Sequence, residues 1–219
     1  MNKKLISFGC SFTRHSHNNE NLHRRNRTIK EDRGLLDAAP INYLDIPANE
    51  TSYTIEAATR LGTLHENHAV GGSGVRAVIF KMLHYVKNNP TDDIFITLGM
   101  SGFSRFDFIR PYWGKKHYPR LPDEDYAKYF DIKEAGFELL SLIEMAGLYL
   151  TVNNIPHLFI NTLNGEFSTK DIVNTLIFPN NSEYWIEYIQ SYDDTYFSEH
   201  PNFNDHVILG KILADKLES

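Results

Sequence analysis

Several features that often point to a function are scarce in this sequence of 219 residues. Cys10 is its single cysteine, so an intrachain disulfide is excluded and a reducing compartment suits the chain. No apolar run approaches the roughly 18 residues of a membrane-spanning helix. The formal net charge of -6 lacks the basic excess of a general nucleic-acid binder. We therefore expect neither a membrane nor a nucleic acid as a partner.

The first residues begin like a secretory signal, because Lys3 and Lys4 precede an apolar stretch. That stretch stops at Gly9, short of the roughly 7–15 apolar residues that a signal peptide needs. We expect a cytoplasmic protein with no signal peptide and no transmembrane segment. With 42% hydrophobic and 23% charged residues, the composition is typical of one folded domain, which we place over residues 1–219.

Short apolar runs alternate with segments whose apolar residues recur at helical spacing. The predicted strands are 5–8, 65–70, 94–98 and 158–161, and the predicted helices are 51–61, 75–86, 132–152 and about 204–217. This alternation is typical of an α/β fold, with a central parallel sheet and helices on both faces in a three-layer sandwich.

Two segments interrupt the alternation. Residues 14–50 are polar and rich in His, Asn and Arg, and residues 163–199 are rich in aromatic side chains. We interpret both as insertions near the active face. The second is either a helical cap over the site or a helix packed on the core.

The loops that follow the strands carry the polar motifs, and ligands of parallel sheets bind at those carboxyl ends. Ser11 lies in the first loop, within Phe8-Gly9-Cys10-Ser11-Phe12-Thr13. Asn67 and Gly72 lie in and after the second strand, and His200-Pro201 precedes the last predicted helix. A serine, a glycine-rich turn and a histidine are thereby expected at one edge of the sheet.

This ordered set of motifs resembles the SGNH (GDSL-type) hydrolase superfamily. Gly9-Cys10-Ser11 stands where the family has Gly-Asp-Ser, in a Gly-Cys-Ser-Phe-Thr variant. Asn67 and Gly72 match the family's Asn followed five residues later by Gly, and His200-Pro201 matches its His-Pro. The resemblance covers nearly the whole chain. It implies the flavodoxin-like sandwich of that family and the activity of an ester hydrolase.

The resemblance also implies residue roles. Ser11 would be the nucleophile and His200 the base, because a hydroxyl needs a neighbouring base and imidazole titrates near neutral pH. The backbone N–H groups of Ser11 and Gly72 would form the oxyanion hole. Small acyl esters such as acetyl groups on carbohydrate are the implied substrates. No cofactor and no metal is expected.

The third loop departs from the family pattern. The family has an oxyanion-hole Asn there, but Ser101 stands at the expected position. Ser101 or Ser104 could donate a hydroxyl hydrogen bond, Arg105 could supply positive charge, or the hole could have two donors only. Asn67 is better explained as a structural hydrogen-bonding residue than as a catalyst.

The acid that orients the histidine is also open. In the family, an Asp stands two or three residues before the histidine that corresponds to His200. This sequence has no Asp at those two positions. Glu199 and Asp194 are the candidates, and a Ser-His dyad is the alternative. His206 could replace His200 as the base, although a position within the last helix favours packing.

Less specific interpretations accompany each motif. Ser11 could cap a helix, and Cys10 is better explained as a small buried hydrophobe than as a nucleophile. The turn Gly71-Gly72-Ser73-Gly74 lacks the Lys-Ser/Thr ending of a phosphate-binding loop. The alternative function is a non-hydrolytic protein of the same fold that binds a glycan or transfers an acyl group.

Overall fold

The structure is a computed structural model. It describes residues 3–10, 13, 51–70, 73–100, 132–162, 172, 174–193 and 201–218. The strands, helices and contacts of the fold and of the site lie among these residues.

The centre of the fold is a parallel sheet of four strands among the described residues. The strands are β1 (Lys4–Gly9), β2 (His65–Asn67), β3 (Ile94–Met100) and β4 (His157–Asn161). Their order across the sheet is β2-β1-β3-β4, and every neighbouring pair is parallel. This is the flavodoxin-like order of a doubly wound sheet, so the predicted α/β fold with a central parallel sheet is confirmed.

Five helices follow in the described part of the chain. They are α1 (Tyr53–Leu61), α2 (Val75–Asn88), α3 (Ile132–Val152), α4 (Trp185–Gln190) and α5 (Phe203–Glu218). The predicted bounds agree to within two residues at almost every end. The clearest difference is β2, which ends at Asn67 rather than at residue 70. Beyond its end the N–H groups of His68 and Val70 still donate to the carbonyls of Ser7 and Gly9, while Oδ1 of Asn67 accepts the N–H of Ala69 between them.

Helices α1, α4 and α5 cover one face of the sheet. Strand residues such as Leu5, Leu158 and Ile160 point to this face and pack in one buried cluster with Trp185 and Leu209. Alternate residues of a strand point to opposite faces, so the neighbours of these residues belong to the other side.

Helices α2 and α3 cover the second face. Ile6, Phe8 and Ile96 of the strands pack there against Met82 of α2 and Ile143 of α3. Two apolar clusters on opposite sides of one sheet make the three layers that the alternation of strands and helices predicts.

The described part of the segment 163–199 packs on the core. Leu176, Phe178, Trp185 and Ile189 are all buried in the cluster beneath α1 and α5. Residues 174–193 contain helix α4, which packs on the core, and the interpretation of 163–199 as an insertion stays a prediction. The first proposed insertion, residues 14–50, lies outside the described residues. Among the helices that are described, none has both the length and the apolarity needed to cross a membrane.

Candidate active site

The carboxyl edge between β1 and β3 is the topological switch point of the sheet. The chain runs from β1 to β2 on one side and then to β3 on the other. Open parallel sheets bind ligands outside the carboxyl ends of the strands at such a point. β1 ends at Gly9 and β3 at Met100, and in the sequence the segments that hold Ser11 and Ser101 follow directly.

The residues on either side of Ser11 and Phe12 are joined by a hydrogen bond. The backbone N–H of Thr13 donates to the carbonyl of Cys10 at 3.1 Å. Cys10 is fully buried and belongs to the core cluster of α1 and α5. Ser11 itself lies outside the described residues, and the name Ser11 turn is used below for the segment from Cys10 to Thr13 that contains it in the sequence.

The Gly72 turn is bracketed in the same way. The N–H of Ser73 donates to the carbonyl of Val70 at 3.2 Å, with Gly72 between them in the sequence and outside the described residues. The N–H of Val70 in turn donates to the carbonyl of Gly9 at 2.9 Å. The main chain that leads into the Ser11 turn is therefore hydrogen-bonded to the main chain that leads into the Gly72 turn.

The Thr13 side chain occupies a slot between two glycines. Gly9 and Gly99 are register partners on β1 and β3. A Cβ on Gly9 would lie 2.5 Å from Cβ of Thr13, and a Cβ on Gly99 would overlap Thr13 Oγ1 and lie 2.8 Å from the Tyr53 hydroxyl. Thr13 is fully buried there. The glycine of the Gly-Cys-Ser motif therefore makes room for the threonine four residues later.

Two side chains hold the main chain of Thr13. Its carbonyl accepts hydrogen bonds from Nδ2 of Asn67 at 3.0 Å and from Oγ of Ser52 at 2.7 Å. Oδ1 of Asn67 accepts from the N–H of Ala69 at 2.9 Å, and Asn67 is 1% exposed. Asn67 thus ties the end of β2 to the Ser11 turn through a buried amide.

Replacing Asn67 with aspartate tests this tie. The carboxylate keeps an acceptor for Ala69 but turns a second oxygen toward the Thr13 carbonyl in place of the donor. A buried acceptor left unsatisfied costs about 1–3 kcal/mol, and more when it is charged, so we expect about 2–4 kcal/mol off the free energy of unfolding. Urea denaturation measures this loss.

Asn89 offers a matched control. Its side-chain amide also donates to a backbone carbonyl, that of Tyr85 at 2.8 Å, but on the exposed surface. We expect Asn89→Asp to change the free energy of unfolding by less than about 1 kcal/mol. Equal losses in Asn67→Asp and Asn89→Asp would contradict the buried tie.

A reciprocal cap fixes the start of α5, directly after His200 and Pro201. Oδ1 of Asn202 accepts from the N–H of Asp205 at 3.1 Å, and Oδ2 of Asp205 accepts from the N–H of Asn202 at 2.8 Å. Oδ1 of Asp205 also accepts from the Tyr192 hydroxyl at 2.9 Å. Burial raises the pKa of the Asp205 carboxyl, and these hydrogen bonds oppose that rise. The Asn-x-x-Asp pattern before the helix is the sequence feature by which this cap could have been found.

His206 lies within α5 and is fully buried. Its Nδ1 accepts the backbone N–H of Tyr53 at 3.0 Å, and its ring stacks on Tyr53 and meets Trp185 edge-on. This is the geometry of a packing residue. His200, the other candidate for the base, lies outside the described residues, next to the buried Pro201.

A serine–histidine pair within the sheet is not a candidate dyad. Oγ of Ser7 is 3.2 Å from Nε2 of His65 and accepts from Thr97 Oγ1 at 3.1 Å. Ser7 and Thr97 are both fully buried, so no substrate reaches this hydroxyl. Burial, with a smaller contribution from neighbouring His68, lowers the pKa of His65 from 6.5 to about 4.

This lowered pKa predicts a pH dependence of stability. In the unfolded chain His65 takes up a proton near pH 6.5, whereas in the folded chain it takes up the proton only near pH 4. The contribution of neutral His65 to the free energy of unfolding is therefore fully present above pH 6.5. It is lost as the pH falls toward 4, by roughly 2–3 kcal/mol. His65→Gln, which keeps an acceptor for Ser7, should remove that part of the loss in denaturation curves measured from pH 7.5 to 4.

The exposed His84 is the control for this comparison. His84→Gln should leave the pH dependence of the wild type in place. Identical acid sensitivity in His65→Gln and the wild type would show that His65 is not the group responsible.

Most of the residues that the motifs single out lie outside the described part of the chain, and their roles stay predictions. These are Ser11, Gly72, Ser101, Ser104, Arg105, Asp194, Glu199 and His200. Asn67 is described, and its contacts are the structural ones given above. The residues that sequence reasoning missed are Ser52, Thr13 and Tyr53, which are linked to this edge by contacts between distant parts of the chain.

No protein-family model and no curated protein matches the chain. Among solved structures it is similar to one from Desulfitobacterium hafniense described as a lipolytic protein of the G-D-S-L family. The identity is 10% and the TM-score 0.48, with 98% of this chain and 99% of that chain covered. It is also similar to an acetyl xylan esterase from the rumen bacterium Butyrivibrio proteoclasticus, at 17% identity and a TM-score of 0.48. That match covers 99% of this chain but only 63% of the esterase chain.

A third solved structure is a member of the lipolytic protein G-D-S-L family from Veillonella parvula. It shares 12% identity with a TM-score of 0.36, over 99% of this chain and 97% of that chain. Similarity at this level does not transfer an activity, so function has to rest on the chain's own residues.

Proposed function

We propose that the chain is a serine ester hydrolase that releases small, acetyl-like acyl groups, with acylated carbohydrates as the candidate substrates. The observation that carries the proposal is the hydrogen bond from Val70 to Gly9. It joins the main chain just before Ser11 to the main chain just before Gly72, at the carboxyl edge of the sheet, where open parallel sheets bind ligands. A nucleophile and an oxyanion donor have to meet within a few ångströms, and a hydrogen bond between the segments that precede them supports the proposal.

The proposed reaction has two halves. Ser11 Oγ attacks the acyl carbon while His200 takes the hydroxyl proton, and the N–H groups of Ser11 and Gly72 hold the oxyanion. His200 then protonates the leaving alkoxide as its bond to the acyl carbon breaks. Water attacks the acyl-serine, gives its proton to His200, and the carboxylic acid leaves as Ser11 regains its proton.

Further roles complete the proposal. Ser101, Ser104 or Arg105 supplies additional stabilisation of the oxyanion from the loop after β3. Glu199 or Asp194 orients the His200 ring, unless the pair works as a dyad. In the sequence, Ser101, Ser104 and Arg105 follow the end of β3, whereas Asp194 and Glu199 precede the start of α5.

Two measurements on the full chain test the function together. Hydrolysis of p-nitrophenyl acetate and of an acetylated sugar reports turnover, and a fluorophosphonate probe followed by peptide mass spectrometry reports the reactive serine. We expect turnover and a label on Ser11. A chain that neither hydrolyses the esters nor takes the label is not a serine hydrolase. A labelled chain that passes acetyl to a sugar hydroxyl faster than to water is an acyl transferase.

A further inference from the structure

Tyr53, the first residue of α1, contacts both Thr13 after β1 and His206 of α5. It is fully buried, with its ring 5.3 Å from the Trp185 ring in edge contact and stacked 6.0 Å from the His206 ring. The preceding residue, Ser52, caps the helix and also donates to the Thr13 carbonyl. The start of α1 is therefore attached to both the Ser11 turn and α5.

The hydroxyl of Tyr53 makes the first attachment. It donates to Thr13 Oγ1 at 3.1 Å, in the slot between Gly9 and Gly99. Burial raises the pKa of the Tyr53 phenol far above its usual range, so the hydroxyl keeps its proton and remains a donor. Because Thr13 closes the turn around Ser11 through its N–H to Cys10, the Tyr53 hydroxyl bears on the position of that turn.

The backbone of Tyr53 makes the second attachment. Its N–H donates to Nδ1 of His206 at 3.0 Å, within a fully buried contact between α1 and α5. His206 stands six residues after His200, one turn into the helix whose start is fixed by the Asn202–Asp205 cap. Tyr53 thus touches, with different atoms, the elements on which the proposed nucleophile and the proposed base depend.

We propose that Tyr53 is a positioning residue: its hydroxyl seats Thr13 and its main chain holds His206, so that it sets the placement of the Ser11 turn relative to the segment that leads into α5. The inference rests on the proposed function. A displacement of two reacting groups by about 1 Å can lower the rate about a hundredfold. Loss of the hydrogen bond that holds Thr13 should therefore lower kcat more than it changes KM.

Tyr53→Phe is the direct test, because it removes one hydroxyl and keeps the ring contacts. We expect kcat for p-nitrophenyl acetate to fall about tenfold with KM unchanged, and the fluorophosphonate labelling of Ser11 to slow by the same factor. Thr13→Val should do the same, Thr13→Ser should restore most of the rate, and the double variant Tyr53→Phe with Thr13→Val should be no slower than either single one.

Tyr85→Phe is the matched control. Tyr85 also loses a hydroxyl hydrogen bond, to Glu66 at 3.2 Å, but it belongs to α2 on the opposite face of the sheet. It should leave kcat unchanged, whatever it does to the melting temperature.

Three outcomes overturn the proposal. If the wild type hydrolyses the ester and Tyr53→Phe has the same kcat, the Tyr53 hydroxyl has no positioning role. A similar fall in kcat for Tyr85→Phe shows a general loss of stability instead. Independent, multiplicative losses in Tyr53→Phe and Thr13→Val show that the two hydroxyls do not act together. A wild type without turnover or labelling is a different result, because it overturns the proposed function itself and this inference with it.

Discussion

Replacing Ser11 with alanine is expected to lower kcat for p-nitrophenyl acetate by about 10⁴-fold or more, with the fold intact. The alanine side chain offers no oxygen to form the acyl-enzyme, so only the oxyanion donors and substrate binding remain to assist water. Alanine can adopt the same backbone conformations as serine, so the melting temperature should change little. Steady-state kinetics and thermal denaturation on the same preparation measure both effects.

Ser141, an exposed serine on α3, is the control for this result. Ser141→Ala should hydrolyse the ester at the wild-type rate. If Ser11→Ala kept the wild-type rate too, Ser11 would not be the nucleophile, and its interpretation as a helix cap would gain support. The companion variant His200→Ala should be nearly as slow as Ser11→Ala. A fully active His200→Ala would turn attention to His206.

Replacing Gly99 with alanine is expected to destabilise the protein by about 3 kcal/mol or more and to reduce kcat by about a hundredfold. The added Cβ would overlap Thr13 Oγ1 and lie 2.8 Å from the Tyr53 hydroxyl, inside a fully buried slot. Thr13 would have to move, and with it the residue that closes the Ser11 turn. Urea denaturation and steady-state kinetics measure the two losses.

Removing Thr13 Oγ1, the nearest of the opposing atoms, provides the control for this steric argument. In a Thr13→Ala background, Gly99→Ala meets no Oγ1, so the same added methyl group should cost much less stability than it costs in the wild type. The difference between the two costs is the steric conflict between residues 13 and 99. Equal costs in both backgrounds would mean that the slot does not exist as described.

Much of the fold could be predicted because hydrophobic periodicity is a local property. The run from Ile132 to Val152 repeats apolar residues at helical spacing, and it forms a helix with those bounds. Strand β1 and strand β4 are short apolar runs between residues that break regular structure. Strand β2 is shorter than predicted, although the N–H groups of His68 and Val70 beyond its end still donate to β1.

The polar contacts of the site were less predictable. The cap between Asn202 and Asp205 spans three residues and has a recognisable pattern, so local sequence contained it. The contacts of Tyr53 with Thr13 and His206 span 40 and 153 residues. Nothing in the neighbourhood of a tyrosine indicates a partner at such a distance.

The sequence by itself determined the α/β class, the positions of the strands and helices, and the order in which Ser11, Gly72 and His200 follow the strands. Alternation and periodicity are enough for these features, because they depend on neighbours along the chain. Only the tertiary structure decided why Gly9 and Gly99 are glycines and what Thr13, Asn67 and Tyr53 do. Their roles depend on a buried slot between two strands that is closed by a helix from elsewhere in the chain, and such a slot exists only when the layers have packed.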